Sequence, residues 1–174
     1  MPGDDRQPTM SELIGLFREL GAPDPESWAR SQFREGIQQL ARFSFLKGAW
    51  RGVVQEGDTG WIEREVELYQ KKPNEVGAGA GRAILRLLDL RADTEDVTEL
   101  VRTMQWQTLF HVCAVVDSAT DDYANPRHPD EHWHLVLHGD LEQCRFDRAQ
   151  VGGLHESVLE TDPTGREMRP RPES

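Results

Sequence analysis

The chain has 174 residues, of which 37% are hydrophobic and 29% charged. That suits one globular domain whose core needs neither disulfides nor a metal, and it excludes collagen-like, mucin-like and membrane-embedded chains. Its 31 acidic side chains against 20 basic ones leave a formal charge of −11, which repels nucleic acid and anionic lipid and favours basic partners.

Residues 1–8 read as a flexible lead, polar and acidic, with no apolar stretch of the kind a signal peptide needs. Thr9 to Glu12 then matches a capping box, in which a hydroxyl and a carboxylate satisfy each other's backbone donors. Leu13, Ile14, Phe17 and Leu20 give the spacing of a short amphipathic helix that Gly21 stops. Asp24 followed by Pro25 predicts a second start, and apolar residues recur at helical spacing from Trp28 to about Gln55. Gly36 and Gly48 are the positions where this long segment would bend or split.

Further helices are predicted over about 59–71, about 76–90 and from Asp93 to Asp117. In the last of these, Glu95 and Asp96 in the first turn complement the helix dipole. The stretch from Leu109 to Val116 is apolar on nearly every side, which places it at the centre of the bundle. His111 within it is expected to be buried and bonded to a carbonyl or acid, and Cys113 to be a small core residue. Trp28, Trp50, Trp61 and Trp106 fall at core spacings. The run Gly77-Ala78-Gly79-Ala80-Gly81-Arg82 lacks the lysine and hydroxyl of a phosphate loop, so close approach to another helix, or a loose helix start, explains it better.

After Asp117 the texture changes to a loop and then to period-two order. Trp133, Leu135 and Leu137 alternate with His132, His134, Val136 and His138, and Gly139-Asp140 is a turn signal before a return strand over 143–148. Residues 154–159 form a short apolar element of undefined type, and Asp162-Pro163 opens a disordered tail over 163–174. The expected fold is mostly α: an irregular bundle of about five helices with a small C-terminal β-hairpin over 132–148, α+β at the margin, within one domain over 9–162. No segment approaches the ~20 apolar residues of a membrane span, and the two cysteines, Cys113 and Cys144, show no paired spacing, so a cytoplasmic location is expected.

Two constellations carry the functional expectations. Residues 117–142 hold seven carboxylates against Arg127 alone. Asp117, Asp121, Asp122, Asp130, Glu131, Asp140 and Glu142 would steer a basic protein, with Tyr123 and Trp133 as aromatic anchors. The leading expectation is therefore a non-enzymatic binding module without a cofactor, in its sharpest form an immunity or inhibitor protein. It would cover the phosphate-binding cleft of a basic protein such as a nuclease. The alternative rests on His128, His132, His134 and His138, four imidazoles within eleven residues, which would bind zinc or iron in a metal-binding or metal-dependent catalytic role. A structural or oligomeric scaffold is the third reading. His155-Glu156 lacks the second histidine of a zincin helix, since position 159 is leucine.

Overall fold

The computed structural model describes residues 8–117, 135–137 and 149–170. The described chain is mostly α, with seven helices and a two-stranded antiparallel sheet near the C-terminus. It divides into two compact units, one formed by residues 1–50 with 109–174 and the other by residues 51–108.

The first unit begins with α1 (Met10–Glu19). Its capping box is formed: Thr9 Oγ1 accepts from the Glu12 amide and the Thr9 amide donates to the Glu12 carboxylate, so two otherwise orphaned donors are satisfied. Helix α2 (Pro25–Glu35) starts where Asp24 Oδ1 accepts from the Ser27 amide at 3.0 Å, and proline occupies its first turn. It ends at Gly36, whose φ of 72° is left-handed backbone. The chain re-enters helix as α3 (Gln39–Trp50). The long periodic segment thus splits at the first of its two glycines, while Gly48 lies inside α3. Phe17, Trp28 and Phe43 pack as an aromatic triad with ring centroids 5.2 to 6.0 Å apart, and Leu13, Ala22 and Ala29 complete this core.

Strand β1 (Leu135–Leu137) pairs antiparallel with β2 (Ala149–Val151), with Leu135 opposite Val151 and Leu137 opposite Ala149. The observed return strand lies just beyond the expected 143–148, and residues 138–148 fall outside the described chain. A four-residue helix, α7 (Leu154–Ser157), follows and settles the type of that apolar element. Leu154 and Val158 are fully buried, and Trp50 Nε1 donates to Val158 O at 3.0 Å and to Thr161 Oγ1 at 3.1 Å. Residues 161–170, expected mainly as tail, are a run of turns gathered around the buried Asp162, which accepts from Thr164 N, Thr164 Oγ1 and Met168 N.

The second unit contains α4 (Gly60–Lys71), α5 (Gly79–Asp89) and the first part of α6 (Thr94–Asp117). Trp61, Ile62, Ile84 and Val97 form its core. Helices α4 and α5 meet at Gly81, where an added Cβ would lie 2.1 Å from the Glu65 carbonyl oxygen. The small-residue run therefore serves helix contact. The strip after Trp50 is pinned by its backbone: Val54 N donates to Gln105 Oε1 at 2.7 Å, and Val54 O accepts from the buried Arg102 at 2.8 Å.

The second half of α6 departs from the expected central position. Cys113 is buried, as are Trp28, Trp50 and Trp61, but Val112 is 50% exposed, His111 is exposed and Trp106 is half-buried. The physical reason is that neighbouring elements cover one stripe of a helix, and an apolar composition on the other faces does not by itself recruit a cover.

Candidate functional site

The described residues bring one cluster of ionisable groups together, at the junction of α3, the end of α6 and α7. Asp117 closes α6, whose last turn contains no basic residue. A carboxylate there adds to the negative end of the helix dipole, so it needs a compensating donor. His155 supplies two. The Asp117 side chain is 5% exposed, and its Oδ2 accepts from the His155 amide at 2.8 Å and lies 2.7 Å from His155 Nδ1.

The amide contact explains how so short a helix begins. Gly153 precedes α7 with a φ of 69° and has no side chain to cap it, so the Asp117 carboxylate takes a first-turn N–H instead. The ring contact sets the tautomer. A carboxylate only accepts, so Nδ1 carries the proton and Nε2 is left as the basic nitrogen of a side chain that is 34% exposed. The ring of Phe110 stands edge-on to His155 at 6.3 Å and limits its rotation.

Arg42 of α3 lies behind this pair. Its Nη1 donates to Ser157 Oγ at 3.3 Å, and its guanidinium lies close over Gly153, where a Cβ would meet Nη2 at 2.5 Å and displace that flexible group, while the left-handed backbone there favours glycine. Burial lowers the Arg42 pKa from its ordinary value, while Asp117, Glu156 and Glu160 oppose that shift by stabilising its charge. Two buried atoms of the cluster, Asp117 Oδ1 and Arg42 Nε, have no hydrogen-bond partner among the described residues. Burial, and after it the Asp117 charge, push the Cys113 thiol up to about 11, which leaves it inert as a nucleophile at neutral pH.

Chemically the cluster offers one oriented imidazole nitrogen beside a half-buried guanidinium. Ser157 is buried and engaged with Arg42. Among the described residues, no group of three or more histidine, cysteine or acidic side chains is placed to hold a metal.

Asp117 is the one expected partner-binding residue within the described chain; its side chain is 5% exposed and faces His155, and its charge stabilises that of Arg42. Asp121, Asp122, Tyr123, Asp130, Glu131, Trp133, Asp140 and Glu142 lie outside the described residues, as do His128, His132, His134 and His138. Arg42, His155 and Ser157 were not singled out by sequence reasoning as members of a site. The signal available for them was Gly152-Gly153 directly before Leu154-His155-Glu156, a backbone able to approach another side chain closely.

Compared with protein-family models, curated proteins and solved structures, the chain finds no match.

Proposed function

We propose that the protein is a small acidic binding module that acts by holding a basic protein partner, in the manner of an immunity or inhibitor protein. The observation that carries this reading is the unneutralised acid. The chain bears −11, and residues 117–142 hold seven carboxylates against one arginine. Turning Asp117 inward leaves six of those carboxylates for a partner.

The remaining cations do little to cancel them. Arg18 pairs with Glu26, Arg64 with Asp58, Lys71 with Glu67, Lys72 with Glu75 and Arg169 with Glu167. Each such pair consumes one charge of each sign, so the excess survives pairing. An excess of this kind raises the encounter rate with a cationic surface and suppresses association with acidic ones. Tyr123 and Trp133 supply large side chains of low conformational entropy, the type that concentrates interface energy. On this reading the Asp117–His155–Arg42 cluster is the fastener that holds the C-terminal segment against α3 and α6.

The experiment is stopped-flow association with the partner captured from host lysate at low salt and then purified. Replacing Asp121, Asp122 and Asp130 with asparagine and Glu131 with glutamine should slow association by roughly tenfold at low salt and flatten its dependence on ionic strength. Association rates and salt slopes equal to those of the parent chain would overturn the reading.

A further inference from the structure

We propose that residues 51–108 hold a binding site for a small amphipathic carboxylate, a molecule with an apolar body and one anionic head. The site is a cavity of about 810 Å³ lined entirely by that unit, within the size range of small-molecule pockets. Its floor is the buried Trp61 of α4, Ile84 of α5 and Val97 of α6, so an apolar body meets side chains already withdrawn from water.

The cavity stays open for two reasons that can be read from residues. Gly77, just before α5, and Ala80 and Ala83 within it line the cavity at three-residue intervals, and these three have no side chain long enough to fill the space beside Ile84 and Leu87, which line it from the same helix. On the opposite side the lining strip at Val54 is pinned to α6 through both its N–H and its carbonyl, so it does not fall inward. The lip is apolar and wet: Leu100 is 61% exposed and Leu87 is 39% exposed. An apolar ligand body would cover both, and that burial is favourable at about 25 cal/mol per Å².

The head group follows from the charges on the wall. Arg64 and Asp58 both line the cavity and pair with each other at 3.5 Å. Arg51 also lines it, is exposed, and makes no hydrogen bond or ion pair among the described residues. It is the cation available to an entering anion, and a guanidinium accepts a carboxylate through two parallel hydrogen bonds. Glu65, the other acid on the wall, disfavours a second negative charge and limits the ligand to one.

The test is calorimetric titration of the full chain with decanoate, held below its aggregation concentration, beside decylamine and decanol as head-group controls. Decanoate should bind with one-to-one stoichiometry and more tightly than either control. Arg51→Ala should weaken decanoate by about tenfold and leave decanol unchanged. Ala83→Leu, at an exposed helix position, should abolish binding while the far-ultraviolet circular dichroism stays as in the parent. Failure of decanoate to bind, tighter binding of decylamine, or full affinity in either variant would each overturn the proposal.

Discussion

The Asp117 carboxylate shows how one residue joins elements distant in the sequence. It ends α6, caps α7 through the His155 amide, orients the His155 ring and stabilises the Arg42 charge. Asp117→Ala strands the first-turn N–H of α7 and a half-buried guanidinium together, so the expected loss is about 3 kcal/mol by urea denaturation. A loss within error of zero would show that the contacts hold nothing. Cys113 makes a prediction in pH. Its thiol is held up at about 11 from an ordinary value of 9.0, so between these pH values the unfolded chain releases a proton that the folded chain keeps. Stability must then fall as pH rises through that window. Cys113→Ala should remove this part of the alkaline slope, and the parent thiol should resist iodoacetamide at pH 8 until the chain is unfolded. Of these residues the sequence marked Cys113 as core and Asp117 as charged. It was silent on the inward turn of Asp117, because a carboxylate at a helix end looks the same whether its partner is solvent or a histidine 38 residues away.

At the scale of elements, local chemistry was the better guide. The capping box at Thr9, the Asp24-Pro25 start and the Gly36 stop each form as the residue types require, because all the partners lie within four residues of one another. The Gly81 approach was legible too, since a run of small residues serves no purpose in a helix that packs loosely. Adding a methyl there places it against the Glu65 carbonyl, so Gly81→Ala should separate α4 from α5 and cost roughly 2 kcal/mol in thermal or urea unfolding. An unchanged midpoint would mean that the helices slide freely. Periodicity misled at the second half of α6. Apolar residues on all sides predicted enclosure, yet Val112 stays half exposed and His111 lies at the surface. The register of the β1–β2 pair was also beyond reach, because pairing depends on where the turn between the strands ends.

For the whole molecule the governing quantity is charge. An excess of acid repels itself in the compact state, and salt screens that repulsion over about 10 Å at 0.1 M. The free protein should therefore melt at a higher temperature in 150 mM than in 10 mM sodium chloride, and a fall in Tm would show that its ion pairs outweigh its net charge. Helical content, the caps, the core positions of Trp28, Trp50 and Trp61 and the acidic imbalance were determined by the sequence alone, since each depends on residue identity and short-range spacing. The tertiary structure decided which carboxylate turns inward, which histidine meets it, and that residues 51–108 form an open cavity beside their core. These depend on contacts between positions tens of residues apart, where pattern carries no distance and only packing supplies one.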